Sequence, residues 1–501
     1  MIPVPLSEIV HLTGATLVGV LADPAPASIE VSSVEVSSVE VDSRLVRPGG
    51  LFVALPGERA DGHDHAAAAM AAGAVAVLSA RPLPGVPCLV VADPLAAMQE
   101  LARALWTRGT PPLTFGITGS SGKTSTKDLL AHVLGHFGPT LSPAGSFNNE
   151  IGLPLTSLRR EAGTRFAVLE YSARGIGHIA FLRSLVAPQV ATVLNIGSAH
   201  LGEFGTREAI AQAKGELVEG APAFAVLNAD DHLVLALAAR TTGQVVTYGT
   251  GPDADYRAEG VELDDDGRPR FRLVTPDGTA DVTLRLHGAH AVSNALAVAA
   301  NVLATGVAGP NEVGQVAELL SSALPVSRWR MEVMERADGV TVVNDAYNAN
   351  PESMRAALKT LAVMSRGKSR RTVAVLGPMA ELGEDAREAH MDLGRYVVRL
   401  DITQLVVIGP EAGGIHAGAV LEGSWGSESI HVADVEAALA LLRTELAPGD
   451  VVLVKASRSA GLERVAAALL EPAPLHPEPL HPGPVAPAPV DPAGRPDGAA
   501  A

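Results

Sequence analysis

Gly116-Ile-Thr-Gly-Ser-Ser-Gly-Lys-Thr-Ser-Thr126 is the stretch on which the fold of this chain turns. The residues before it, Pro112-Leu-Thr-Phe115, are apolar and β-prone; those after it, Lys127-Asp-Leu-Leu-Ala-His-Val-Leu134, carry apolar side chains at helical spacing. The glycines therefore fall in a strand-to-helix turn, where free backbone N–H groups at a helix start favour an anion. Gly119 and Gly122 let the backbone approach phosphate oxygens with no Cβ in the way, and Ser120, Ser121 and Ser125 fill out the loop. Lys123 then neutralises the outer phosphates of a nucleotide and Thr124 holds magnesium. The strict phosphate-loop pattern wants a glycine where Ile117 stands, so the motif is a variant. A plain Gly/Ser turn would account for the glycines but not for the Lys-Thr pair behind them.

At 501 residues the chain is long enough for about three domains. Apolar residues make up 47% and aromatics only 3%, which calls for cores of Val, Leu and Ala, as in parallel sheets covered by helices. A formal charge of −17 argues against a nucleic-acid or anionic-membrane binder, so anionic substrates must be held by local positive sites. A single cysteine, Cys88, rules out an intrachain disulfide and cysteine-cluster metal sites. The N-terminus has no basic segment leading into an apolar run, and no apolar stretch is long enough to span a bilayer, so the expectation is a cytoplasmic protein without membrane insertion. Lysine stands at only six positions (Lys123, Lys127, Lys214, Lys359, Lys368, Lys455) against 32 arginines. In such a chain a lysine points to a task that a guanidinium cannot perform.

Outward from the loop, residues 110–323 alternate strands and helices. Phe166-Ala-Val-Leu169, Val190-Ala-Thr-Val-Leu194, Phe224-Ala-Val-Leu227 and Val245-Val-Thr-Tyr248 read as buried parallel strands. Ligands bind outside the carboxyl ends of such strands, which selects Glu170, the segment Asn195 to His200, and Asn228-Ala-Asp-Asp231. A carboxylate ending a buried strand suits a magnesium ligand, with helix capping as the alternative for Glu170. His200 and Lys214, taken singly, are unremarkable. Asn148 and Asn149 could contact a ligand or cap a turn. Residues 256–286 suggest a small antiparallel insertion.

Residues 1–109 read as a small N-terminal α/β domain in which the stretch Ala66 to Ala80 is an alanine-rich helix running into the strand Ala74-Val-Ala-Val-Leu78. There Ser43-Arg44 is either a turn with a solvated arginine or a phosphate contact. Residues 324–470 form a third, doubly wound Rossmann-like unit with strands at Val340–Val343, Thr372–Leu376, Leu405–Ile408 and 450–454. The Pro-rich segment 471–501 is expected to be disordered. The fold class is thus α/β with three domains, the central one a P-loop ATPase on a parallel sheet.

Laid out in this order, the motifs resemble the Mur ligase superfamily over residues 1 to about 470. The signatures are the phosphate loop, the His200 turn, Ala213-Lys-Gly-Glu216 and Gly288-Ala-His-Ala-Val-Ser-Asn294. Asn344-Asp-Ala-Tyr-Asn-Ala-Asn-Pro351, Leu376-Gly-Pro-Met-Ala-Glu-Leu-Gly383 and Asn148-Asn-Glu-Ile-Gly152 narrow the likeness to the branch that joins D-alanyl-D-alanine to UDP-N-acetylmuramoyl-tripeptide. The resemblance implies an ATP- and magnesium-dependent amide ligase of peptidoglycan precursor synthesis, monomeric and acting on small molecules through an acyl phosphate. It gives Lys123 the transferring phosphate, Thr124 and Glu170 one magnesium, and His200 part of a second. Lys214 matches a lysine carbamylated by CO₂ to become an anionic metal ligand. Asn294, Arg330 and Asp345 match nucleotide contacts, and Ser43 and Arg44 match the uridine-nucleotide end. Asn148, Asn149, Asn348 and Asn350 are candidate substrate contacts, with the third domain bringing the dipeptide. This chain departs from the family's pattern at Tyr171-Ser-Ala-Arg174, at His178, where a glutamate is common, and at Trp329-Arg330, where Gly-Arg is common. Two alternatives stand beside this reading. One is another amide ligase of the superfamily, third-residue-adding or folylpolyglutamate-type; the other is a non-catalytic nucleotide-binding regulator.

Overall fold

The computed structural model describes residues 1–19, 34–57, 60–198, 201–220, 222–366, 370–424 and 426–471; His200 and the Pro-rich tail from 472 lie outside them. The strand Leu113–Thr118 lies inside a nine-stranded sheet. Across that sheet run Thr140–Leu141, Phe166–Glu170, Leu113–Thr118, Val190–Val193, Phe224–Asn228, Gln244–Gly249, Tyr256–Leu263, Pro269–Thr275 and Gly278–Thr283. The first seven are parallel, and each of the last two pairs antiparallel with the strand before it. Residues 256–283 are antiparallel among themselves, as expected, but they are no separate insertion. Tyr256 pairs in parallel with Tyr248, so the hairpins lengthen the central sheet.

Register fixes the site. Glu170 lies opposite Ile117 and Val193 opposite Thr118, so the phosphate loop, the Glu170 carboxylate and Asn195 all emerge at one sheet edge. The aliphatic strands are buried on both faces, one cluster packing under the helices Lys123–Phe137 and His290–Ala304 and another under Arg207–Glu219.

The third unit is a six-stranded sheet ordered Glu332–Glu335, Thr341–Asn344, Val451–Lys455, Thr372–Leu376, Gln404–Ile408, Ser429–Val432, parallel except for the first strand. Apolar clusters cover both of its faces. The N-terminal unit is a five-stranded sheet in which Thr16–Val18 runs antiparallel to Cys88–Val90 and the rest are parallel. Its alanine-rich helix spans Ala66–Ala71, and the strand expected at Ala74–Leu78 follows it. Gly73, at φ 106 and with a notional Cβ 2.8 Å from Pro48 Cα, turns the chain into the strand Ala74–Ser79.

The two junctions differ in kind. Leu155 and Leu158, from a helix buried on all sides (Gly152–Leu158), join the N-terminal core. Beside them Arg160 donates to the carbonyls of Trp106 at 2.8 Å, Thr110 at 2.6 Å and Arg108 at 3.2 Å, clamping the chain that links the first two units. The third unit meets the central one through polar contacts. Glu352 accepts from Ser198 N–H (3.0 Å) and Oγ–H (2.9 Å), and Gly202 N–H donates to Glu381 O. The Gly267 turn of the lengthened sheet rests on the helix Pro351–Arg366, where a Cβ on Gly267 would come within 3.0 Å of Thr360 Cγ2.

Candidate active site

A cleft of about 430 Å³ opens where the central and third units meet. Its floor is the phosphate loop. Gly122 takes φ 82, and a Cβ there would fall 2.9 Å from Asn294 Oδ1, so glycine is required both by backbone and by contact. Asn195 holds the loop from the neighbouring strand end: its Oδ1 accepts from Ser121 N–H (2.9 Å), and its Nδ2 donates to Ser121 O (3.2 Å). Ser120 Oγ accepts from Gly197 N–H at 2.9 Å. Gly119 lies behind the wall, where a Cβ would meet Leu194 Cβ at 2.9 Å.

Lys123 is folded back on the loop, its Nζ donating to Gly119 O at 2.6 Å. Burial pushes its ammonium below the ordinary lysine range, Glu170 counteracts this, and Arg330 adds to it. Glu170 is fully buried; Oε2 accepts from Asn148 Nδ2 at 3.2 Å, and Oε1 has no hydrogen-bond partner among the described residues. A buried carboxylate oxygen left without a partner, in a cleft that the Thr124 side chain also lines, is the environment that suits a hard cation. Lys214 is buried on the helix Arg207–Glu219, off the cleft wall. Desolvation, with repulsion from Lys123 behind it, drives its amine well below the usual range, towards the neutral form.

The opposite wall belongs to the third unit. Asp345 accepts from Met331 N–H (3.0 Å) and from Lys455 Nζ (2.6 Å), which also donates to Asn348 O (2.9 Å). Arg330 lies over the Tyr347 ring at 4.1 Å and donates from Nη2 to Ser146 Oγ at 3.1 Å. Ser146 Oγ is in turn 2.8 Å from Thr124 Oγ1. Ser120, Ser121, Gly122, Lys123, Thr124, Ser125, Asn148, Asn149, Glu170, Asn294, Arg330, Asp345, Asn348 and Asn350 therefore share one cleft.

Three matches cover most of the chain: the Mur ligase family catalytic domain over residues 35–104, the Mur ligase middle domain over 117–302, and the Mur ligase glutamate ligase domain over 329–458. The chain belongs to the Mur ligase family. This Mur ligase is 49% identical to the UDP-N-acetylmuramoyl-tripeptide--D-alanyl-D-alanine ligase of Mycobacterium tuberculosis, over 94% of this chain and 98% of the relative. Its fold matches a crystal structure of MurF from Acinetobacter baumannii with TM-score 0.80 and 30% identity, covering 94% of this chain and 99% of that one. A MurF ligase from Thermotoga maritima, solved in complex with ADP, matches with TM-score 0.73 and 30% identity over 86% of this chain and 96% of that one.

Ser43 and Arg44, expected at the uridine-nucleotide end, lie outside this cleft. Arg44 is exposed and pairs with Asp42, whose carboxyl its side chain and backbone N–H hold down at about 2. Asn149 and Asn350 line the cleft but spend their side-chain oxygens on capping: Asn149 accepts from Gly152 N–H (2.9 Å) and Asn350 from Ser353 N–H (2.8 Å). Each keeps an amide NH₂ for a ligand. At the family departures, Tyr171 is buried with its hydroxyl on Val186 O (2.6 Å), while His178 and Arg174 face Glu150 at 3.3 and 3.7 Å on the cleft rim. Sequence reasoning gave no site role to Ser146, Lys127 or Lys455. The scarcity of lysine was a usable signal for the last two, both buried, Lys455 on the cleft wall and Lys127 behind it.

Proposed function

We propose that this Mur ligase joins D-alanyl-D-alanine to UDP-N-acetylmuramoyl-tripeptide at the expense of ATP, completing the cytoplasmic pentapeptide precursor of peptidoglycan. The observation that carries the reading is near end-to-end identity of 49% with a ligase of that name, in a chain whose phosphate loop, Glu170 and third-unit residues converge on one cleft. Residues 1–109 would take the UDP end, 110–323 the ATP and 324–470 the dipeptide.

The cleft supplies what the chemistry demands. The tripeptide carboxylate attacks the γ-phosphate of ATP, releasing ADP and forming an acyl phosphate, from which the dipeptide amine then displaces phosphate, so negative charge accumulates on phosphoryl oxygens. Lys123, the loop N–H groups and Arg330 are fixed positive partners for it. Thr124 and Glu170 would hold magnesium, with His200 and Lys214 completing the ligand set. When bound, the metal would neutralise phosphate charge. Lys214 is suited to carbamylation because a neutral amine is what reacts with CO₂, and burial favours the neutral form. Asn148 orients Glu170, and Lys455 orients Asp345. Substrates entering between units linked by polar contacts imply that the third unit closes on them.

The test is phosphate release from magnesium-ATP with UDP-muramoyl-tripeptide, with and without D-alanyl-D-alanine, and mass spectrometry of the product. Release that needs both substrates and yields a pentapeptide is expected. Turnover with another amine but not the dipeptide would refute the assignment, as would ATP binding without turnover.

A further inference from the structure

Nothing in the sequence singles out Ser146, yet its hydroxyl joins the phosphate loop to the third unit. Ser146 Oγ lies 2.8 Å from Thr124 Oγ1 and accepts from Arg330 Nη2 at 3.1 Å. A hydroxyl has one hydrogen and two acceptor sites. Once Thr124 gives a lone pair to a cation, its hydrogen must be donated elsewhere, and among the described residues Ser146 is the side chain in reach. Ser146 then accepts from Thr124 and Arg330 together, and its own hydrogen turns to the cleft.

The turn is braced from behind. Lys127, buried on the loop helix, donates to Pro143 O (2.5 Å) and Gly145 O (3.3 Å) and pairs with Asp128 Oδ1 (2.6 Å). Asp128 Oδ2 accepts from Ser327 Oγ (2.6 Å), three residues before Arg330. Arg330 itself sits between two residues in the left-handed region, Trp329 at φ 62 and Met331 at φ 48. Neither is glycine, so the backbone there is strained and is held by contacts. Arg458 stacks on Trp329 at 4.2 Å, and Met331 N–H donates to Asp345. The end of the third unit next to the central one is therefore a sprung segment whose reach into the cleft ends on one serine.

We propose that Ser146 is a positioning residue that couples engagement of the Thr124 hydroxyl to the docking of Arg330, and so to closure of the third unit. The proposal rests on the nucleotide-binding reading of the cleft.

The test uses the full chain with dyes on exposed cysteines introduced by Gln212→Cys and Arg443→Cys, the native Cys88 being buried. Magnesium-ADP binding is measured by calorimetry and closure by energy transfer, in the otherwise unsubstituted protein and in Ser146→Ala, Ser146→Thr, Arg330→Met and the Ser146→Ala/Arg330→Met double variant. Ser146→Ala is expected to weaken magnesium-ADP about tenfold, the scale of one hydrogen bond to a charged group. It should also abolish the energy-transfer change at saturating ligand. Ser146→Thr, which keeps the hydroxyl, should restore both, and Arg330→Met should cost the Ser146→Ala protein nothing more. Normal closure of Ser146→Ala at saturation, or additive losses in the double variant, would overturn the coupling. Failure of the unsubstituted protein to bind magnesium-ADP would instead remove the proposed function, and the coupling with it.

Discussion

Arg160→Met would leave the stem of the side chain in place and take away the guanidinium that clamps the first junction. Arg160 is 7% exposed, and its two shortest bonds reach Thr110 O at 2.6 Å and Trp106 O at 2.8 Å, the latter at the end of the helix Pro94–Trp106. Hydrogen bonds from charged donors contribute about 1.5–3 kcal/mol each, and the carbonyls they satisfy have no helical partner of their own. Partial rehydration of those carbonyls reduces the sum, leaving a loss of about 3–4 kcal/mol. For units of this size that corresponds to a fall in Tm of roughly 6–16 °C. The variant should melt earlier in differential scanning calorimetry, with the N-terminal unit separating as an early transition. At low temperature its ADP binding should be unchanged, because Arg160 does not line the cleft. A shift below about 2 °C, or one unbroken transition at the original temperature, would refute the clamp.

Glu170→Gln should separate stability from function: removing a buried, half-satisfied charge should leave Tm unchanged or raise it by the equivalent of about 1 kcal/mol, while kcat falls at least a hundredfold. Thermal melts and phosphate release on one preparation decide this, and retained turnover would sink the metal-ligand role. Lys214→Ala should abolish ligation with partial rescue by short carboxylic acids; full activity in Lys214→Arg would exclude the carbamate. Burial lowers the proton affinity of His132, His287, His290, His390 and His416 in the folded chain. The unfolded chain therefore binds more protons below about pH 6.5, so stability should hold above that pH and decline towards pH 5, each fully shifted group adding about 1.4 kcal/mol per pH unit at most. Urea midpoints at pH 7.5, 6.5 and 5.5 test the sign, and a midpoint that rises on acidification would contradict it.

The interior strands were legible because runs such as Phe166-Ala-Val-Leu169 and Val373-Ala-Val-Leu376 are apolar throughout, as burial on two faces requires. Edge strands were not. Glu332–Glu335 carries charge at both ends and Ser429–Val432 holds a histidine, so neither shows that signature. Within the site, the phosphate loop and Glu170 announced themselves through local chemistry. Ser146 did not, because its meaning comes from Thr124 and Arg330, 22 and 184 residues away in sequence. Asn149 and Asn350 show the converse limit: a cleft-facing asparagine and a helix cap look alike in one dimension, and here each residue is both.

The contact of the lengthened central sheet with Thr360 bears on how far the third unit can travel. Gly267 and Gly288, both at positive φ, are tied by a 2.7 Å bond from Gly288 N–H to Gly267 O and face Thr360 together. A Cβ on Gly288 would come within 2.7 Å of Thr360 Oγ1, so there is no slack for even one methyl group. Two bare backbones meeting a helix at van der Waals distance act as a mechanical stop. Were the third unit to swing as proposed, its travel on this side would end on rigid main chain instead of on substrate, and the depth of the chamber would be set by the fold.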